Sequence, residues 1–203
     1  MVYLIGLTGN IATGKSLVGR MLGELGAHVI DADALVRELQ RKGTPVYDSI
    51  VAEFGAGVLR ADGEIDRAKL GALVFSDPEA LRRLEAIVHP TVGAEIKSQI
   101  SNLKSQKTEA QIVIVVEAIK LIEAGLHEQC NSLWVVTSRP EVQLERLKRT
   151  RSLSEADAKM RIGAQPPQSD KAALADVLIE NNGTFAALRS QVKHYWDAIP
   201  HLR

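Results

Sequence analysis

Few folds accommodate the stretch GLTGNIATGKS, residues 6–16, which begins where the apolar run VYLIGL gives out. Residues 2–7 read as a short buried strand, and residues 15–25 place Leu17, Val18, Met21, Leu22 and Leu25 on one helical face. Between the two, Gly9 and Gly14 bracket four residues and are followed by Lys15 and Ser16. Glycines at that spacing let the backbone curl so that several amide N–H groups point inward at phosphate oxygens, and the following helix adds the partial positive charge of its N-terminus. Lys15 can reach terminal phosphates, and the Ser16 hydroxyl can coordinate magnesium. Strand, glycine loop and helix in this order imply a phosphate-bearing nucleotide as ligand. The loop alone does not give the reaction.

Four further β-rich runs follow: HVIDAD at 28–33, a strand running into a loop, then IVIVVE at 112–117, SLWVVTS at 132–138 and DVLIE at 176–180. Short apolar strands separated by helical patterns predict an α/β fold of the P-loop NTPase type. It has three layers, with a mostly parallel five-stranded sheet covered by helices on both faces. A single crossover helix does not fill the interval from about residue 35 to 106. PVYDSIVAEFG, DRAKLGALVF and DPEALRRLEAIV each carry apolar residues three or four apart, so the whole interval reads as a helical insertion beside the sheet. Asp77 followed by Pro78 makes a helix start, and Pro90 predicts that the helix bends or restarts at His89. The polar stretch 101–111 returns the chain to the third strand. After the fourth strand, PEVQLERLKRTRSLSEADAKMRIGAQ reads as two helices, the second starting at Ser154 with Asp157 as capping-box partner. Residues 184–199 form a closing helix with Phe185, Leu188, Val192, Tyr195 and Trp196 apolar.

Charge and cysteine content narrow the partners. Lys plus Arg equals Asp plus Glu, at 25 each, so the molecule has no overall bias toward nucleic acid or an anionic membrane, and neither is expected as a partner. Cys130 stands alone, which rules out an intramolecular disulfide and suits a buried, inert thiol. The N-terminus lacks the pattern of a secretory signal, and no segment approaches the ~18 apolar residues of a membrane span, so a cytoplasmic protein is expected.

Several other residues carry candidate chemistry. In a parallel sheet, Asp31 and Asp33 lie near the same edge as the glycine loop, where a carboxylate can accept a proton from an attacking hydroxyl or help hold a metal. The same residues can equally cap a helix beginning at Ala34. Glu117 ends the third strand, as a contact to magnesium, direct or through water, or as a solvated strand end. Arg146, Lys148, Arg149 and Arg151 put four cations in six residues. They form either a solvated helix face or a mobile segment that stabilises a transferring phosphoryl group. His89, as a lone histidine, reads first as a structural hydrogen-bonding residue.

Taken together the motifs resemble one family, the dephospho-CoA kinases. IGLTGNIATGKS is similar to the family's opening strand and loop, VIDADALVR to its second-strand motif, and LEAIVHP to its helix ending in His-Pro. LSEADAKMRIGAQ is similar to its lid helix and ADVLIENNGT to its last strand and loop. The resemblance covers nearly the whole chain in the right order. It implies magnesium-dependent transfer of the ATP γ-phosphoryl to the ribose 3′-hydroxyl of dephospho-CoA, the last step of coenzyme A synthesis. By motif position, Asp33 is the general base, with Lys15 beside it in catalysis. Gly9, Ala12, Thr13, Gly14, Lys15, Ser16, Leu17, Arg149, Arg161 and Asn181 contact ATP, and Ser16 holds the metal. Thr8, Asp31, Asp33, Arg37, His89, Pro90 and Glu117 stand on the acceptor side. The implied organisation is a nucleotide-binding core of 1–36, 107–138 and 166–203, a helical acceptor domain of 37–106 and a lid of 139–165.

The chain departs from the family pattern at Asn10, Ala12 and Thr13, where glycine, glycine and serine are usual, and at Ile119 and Lys120, which replace a proline and a leucine after the acidic residue. The second change falls on local contacts to the acceptor. Thr150 stands where an aspartate is usual, and no role is carried over to it. A GTPase switch, the other common use of such a loop, calls for Asn-Lys-x-Asp and Asp-x-x-Gly strings, and neither occurs. Another nucleoside or nucleotide kinase, and a non-catalytic nucleotide-binding regulator, are the remaining alternatives. The sequence does not give an oligomeric state.

Overall fold

The computed structural model describes residues 2–106 and 112–200 and divides the chain into two compact units, Met1–Asp31 with Leu103–Arg203, and Ala32–Asn102. In the first unit, five strands lie parallel: β1 (Val2–Thr8), β2 (His28–Asp31), β3 (Ile112–Glu117), β4 (Ser132–Thr137) and β5 (Val177–Glu180). Their order across the sheet is β2-β3-β1-β4-β5. β3, β1 and β4 occupy the interior, and every residue of β3 is buried. That is the pattern of a parallel strand covered on both faces. From β1 the order runs to β3 and β2 on one side and to β4 and β5 on the other, so the loop after β1 opens where the sheet switches direction.

Helix α1 (Lys15–Glu24) packs Val18, Met21 and Leu22 onto Ile5, Leu7, Val113 and Val115. Trp134 and Val136 of β4 and Leu188 and Val192 of the closing helix, which spans Phe185–Asp197, belong to the same cluster. Trp134 is fully enclosed, its indole N–H donates to Ser132 Oγ at 3.1 Å, and its ring meets Tyr195 edge-on at 6.1 Å. A large aromatic with its one polar atom satisfied fits the centre of a core.

The second unit holds α2 (Ala32–Leu39), α3 (Pro45–Phe54), α4 (Arg67–Ser76) and the main length of α5 (Pro78–Gln106). Its helix starts follow capping chemistry. The Thr44 hydroxyl accepts from the Tyr47 amide, the Asp66 carboxylate from those of Ala68 and Lys69, and the Asp77 carboxylate from that of Glu79. Completing the first unit are α6 (Pro140–Arg151), α7 (Glu155–Gly163), α8 (Gln168–Ala172) and α9, the closing helix already described. As expected, Ser154 caps α7, its hydroxyl accepting from the Asp157 amide; it also donates to the Asp157 carboxylate at 2.6 Å.

Three local expectations need correction. β2 passes directly into α2 with no loop, so Asp33 sits in the first turn of that helix, where the dipole favours an acidic side chain. α5 does not restart at His89: it runs through Pro90 unbroken, since the proline forfeits a single N–H bond while buried Val88, Val92 and Ile96 anchor the helix on both sides of it. The interval before α4 is not helical throughout either. An isolated antiparallel bridge joins Leu59 to Ile65 around a tight turn in which the Arg60 amide donates to the Glu64 carbonyl at 2.8 Å.

Candidate active site

The loop after β1 is shaped by what presses on it from neighbouring strands. A side chain at Gly9 would place its Cβ 2.4 Å from the Val136 carbonyl oxygen, and one at Gly14, where φ is +96°, would fall 2.2 Å from Asn181 Nδ2. Gly9 therefore has no room for a Cβ against backbone, and at Gly14 any residue with a Cβ would be strained by its φ and press on Asn181. Ala12, by contrast, adopts φ +59°, a left-handed conformation that a methyl group makes costly. The loop closes on itself through Thr13, whose hydroxyl donates to the Asn10 carbonyl at 2.9 Å. α1 then begins at Lys15 with no side-chain cap and no acidic residue in its first turn, so its positive end faces the loop.

Beneath the loop, Lys15 and Glu117 are buried, and the exposed Ser16 joins them through its hydroxyl. Lys15 Nζ is 2.8 Å from Glu117 Oε1, and the Ser16 hydroxyl donates to the same oxygen at 2.5 Å. Both members of the ion pair are enclosed, with side-chain exposures of 8% and 5%. Register brings Glu117 opposite Leu7 on one side and Asp31 on the other, so the two carboxyl-bearing strand ends meet at one edge. The carboxylate fits only because α1 carries Gly19 at this level; a Cβ there would lie 2.3 Å from Glu117 Oε2. Thr8, the last residue of β1, is buried and donates its hydroxyl to the Ile119 carbonyl at 3.1 Å.

Outside the loop, Arg146 of α6 acts as a clamp. Its guanidinium donates to the carbonyls of Ala12 and Thr13, both at 3.1 Å, to Ser138 Oγ at 2.8 Å and to the Asn181 carbonyl at 2.9 Å. Burial, and then the charge of Arg149, lower its pKa from the usual arginine value. Asn181 is buried after β5 and donates its side-chain amide to the Thr13 carbonyl at 2.8 Å. The far side of the loop is held by amides: Gln143 donates to the Ile11 carbonyl at 2.6 Å, Gln165 accepts from the Ile11 N–H at 2.7 Å, and Asn10 donates to the Pro166 carbonyl at 2.8 Å.

The first unit thus gathers Thr8, the loop from Gly9 to Leu17, Asp31, Glu117 and Asn181. Arg149 and Arg161 lie exposed on α6 and α7. Asp33, Arg37, His89 and Pro90 belong to the second unit. Asp33 and Arg37 sit in the first and last turns of α2, where the Arg37 carbonyl accepts from Arg67 at 3.2 Å, and His89 and Pro90 stand midway along α5. Sequence reasoning passed over Gly19, Gln143 and Gln165, and saw Arg146 only as part of a cationic run. Gly19 had a legible signal, a glycine inside an otherwise regular helix pattern. Among the described residues, no cluster of three or more His, Cys, Asp or Glu has the makings of a metal site, and no helix is long and apolar enough to cross a membrane.

A phosphate loop at a helix start, with a buried lysine and carboxylate and a serine bonded to the same carboxylate, occurs in many nucleotide enzymes, and comparison with known proteins decides among them. The family model for dephospho-CoA kinase matches residues 3–187. The chain belongs to the dephospho-CoA kinase family. It is 48% identical to the dephospho-CoA kinase of Symbiobacterium thermophilum over 96% of its own length and 80% of that protein's. Identity to the corresponding protein of Geobacter sulfurreducens is 44%, over 95% and 96% of the two chains. Among solved structures, TT1252 from Thermus thermophilus superposes with a TM-score of 0.82 at 31% identity over 97% of both chains. Dephospho-CoA kinase from Campylobacter jejuni does so with 0.69 at 28% over 98% of both. A shikimate kinase from Acinetobacter baumannii, at 19% identity and a TM-score of 0.56, shares the fold. The chain is accordingly an ATP-dependent kinase on a P-loop NTPase-type scaffold.

Proposed function

We propose that phosphoryl transfer from ATP to the ribose 3′-hydroxyl of dephospho-CoA is divided here between a donor half built on the loop after β1 and an acceptor half drawn from the second unit and the stretch after β3. The observation that carries the reading is the buried Lys15–Glu117 pair, joined by the Ser16 hydroxyl, directly under a loop whose Gly9 has no room for a Cβ and whose Gly14 holds a left-handed φ. In this reading the backbone from Gly9 to Leu17 and the N-terminus of α1 bind the ATP phosphates, Lys15 leaves Glu117 to reach the terminal phosphate, and Arg149 and Arg161 close over it. Asn181 supports the nucleotide through its bond to Thr13. Thr8, Asp31, Arg37, His89, Pro90 and Glu117 serve the acceptor. Asp33 takes the proton of the 3′-hydroxyl as its oxygen bonds to the γ-phosphorus and the bond to the ADP oxygen breaks, giving CoA and ADP.

Magnesium fits the donor set. A hydroxyl and a carboxylate oxygen, Ser16 Oγ and Glu117 Oε1, converge within 2.5 Å, and a hard cation that keeps several waters and binds substrate phosphates needs one or two such oxygens. The metal, when bound, would neutralise charge on the phosphate oxygens. We assign the reaction to the cytoplasm, in keeping with the lone cysteine.

The test is an acceptor panel at fixed ATP and magnesium, comparing dephospho-CoA with adenosine and common nucleotides. ADP should form with dephospho-CoA alone. Transfer to another acceptor with dephospho-CoA inert would replace the substrate assignment, and ATP binding without any turnover would make the chain a regulator.

A further inference from the structure

Lys171 is one of the most deeply enclosed charged residues of the chain, and none of the roles above uses it. Its side chain is 5% exposed, within α8, a five-residue helix that leads from the lid pair toward β5. The ammonium group donates to the Ile119 carbonyl and lies 3.2 Å from Glu123 Oε1. Ile119 is two residues beyond Glu117, and its carbonyl also accepts from the Thr8 hydroxyl. Two donors from distant parts of the chain thus converge on one peptide oxygen at the start of the irregular stretch after β3.

Burying an ammonium group is costly unless it is paired and hydrogen-bonded, so its position here reflects what it holds. The Ala118 amide extends the β1 pairing by one bond to the Leu7 carbonyl, and the Ala124 amide donates to the Lys120 carbonyl. Between them lie Ile119 and Lys120, where this chain departs from a proline whose ring would stiffen the backbone by itself. α8 is suited to restrain the Ile119 peptide because Gln168 and Lys171, three apart, share a face. Gln168 accepts from the Ser138 amide at 3.1 Å and donates to its carbonyl at 2.9 Å, fixing the helix to the loop after β4. Lys171 reaches the loop after β3.

We propose that Lys171 is a positioning residue for the acceptor side of the reaction, holding the Ile119 peptide, with Thr8, so that the segment after Glu117 presents a fixed edge to dephospho-CoA. The proposal rests on the reading that this segment serves the acceptor.

Three proteins decide it: the unaltered chain, Lys171→Met, which keeps the length of the side chain without its charge, and Lys171→Arg, which restores the donors. Steady-state kinetics should show KM for dephospho-CoA raised ~10-fold in K171M, with KM for ATP and kcat within ~2-fold, and K171R restoring KM to within ~3-fold. Hydrogen exchange on the substrate-free proteins should show the amides of Ala124, Gly125 and Leu126 exchanging at least ~5-fold faster in K171M, with those of the loop after β1 unchanged. A lower melting temperature with KM unchanged, or an equal rise in both KM values, would overturn the positioning role. So would unaltered exchange. If the unaltered protein ignores dephospho-CoA, the acceptor reading fails, and the exchange data still decide whether Lys171 fixes the segment.

Discussion

Replacing Glu117 by alanine separates what the buried ion pair does for the fold from what it does for the ligand. The carboxylate takes the Lys15 ammonium at 2.8 Å and the Ser16 hydroxyl at 2.5 Å on one oxygen, with both charged side chains below one-tenth exposed. Solvent screening is therefore slight, and removing one member leaves a buried charge without its counter-ion, a loss of roughly 3–5 kcal/mol. Lys15 engages other groups as well, which points to the lower end, about 3 kcal/mol. Urea unfolding without ligand should show this loss at an unchanged denaturant slope. Bound nucleotide phosphates replace the missing anion and no longer compete with Glu117 for Lys15. With ADP in EDTA, which keeps magnesium out of the comparison, the loss should shrink by about half, equivalent to nucleotide binding roughly 10-fold more tightly. Gly19→Ala provides an independent push on the same carboxylate, since its Cβ would sit 2.3 Å from Oε2, and should shift stability in the same direction. The reasoning is refuted if E117A stays within about 1 kcal/mol of the parent, or if it binds ADP no more tightly.

Asp33→Asn should lower kcat by about 10²–10⁴ while leaving ATP affinity, measured by calorimetry, within a factor of about two; unchanged turnover removes the base. Burial pushes the Cys130 thiol up from 9.0 to about 11, so at pH 8 its thiolate fraction is ~100-fold lower than that of an ordinary thiol, and alkylation by iodoacetamide should be slower in proportion. Because the folded chain keeps this proton where the unfolded chain loses it, the same shift lowers stability as pH rises from about 9 to about 11 and has no effect below that window. Ala12→Gly should relieve left-handed strain of about 1–2 kcal/mol, less the added flexibility of the unfolded chain, for a net gain of about 0.5 kcal/mol in urea; a loss of that size refutes the strain.

Legibility in the sequence followed the range of the interaction. The strands at 2–7, 112–117 and 132–137 were readable because a parallel strand covered on both faces has to be a continuous apolar run. The caps at Asp77 and Ser154 were readable because a helix start is settled within four residues. Pro90 misled as to a restart for the same reason: its local preference is real, yet the buried row of Val88, Val92 and Ile96 keeps the helix continuous. The turn between Leu59 and Ile65 hid behind flanking helical periodicity, and α8 is too short, at five residues, to show any periodicity.

At the site, local grammar reveals what touches phosphate and conceals what holds it there. Gly9, Gly14, Lys15 and Ser16 stand within eight residues, and their spacing alone announces a ligand. The groups that brace the loop reach it across the chain: Gln143 to the Ile11 carbonyl over 132 positions, Gln165 to the Ile11 amide over 154, and Asn181 to Thr13 over 168. No spacing rule connects such pairs, and each residue by itself is an ordinary polar side chain on a helix or in a loop. Their joint effect appears only when the sheet order places the ends of β1, β3 and β4 side by side, which lets the short run from Gln165 to Lys171 touch all three following loops. A restraint of that kind is read by its consequences. A change at Gln165, Gln168 or Lys171 should alter how well the nucleotide and acceptor are oriented, with no loss of any group that contacts either one directly.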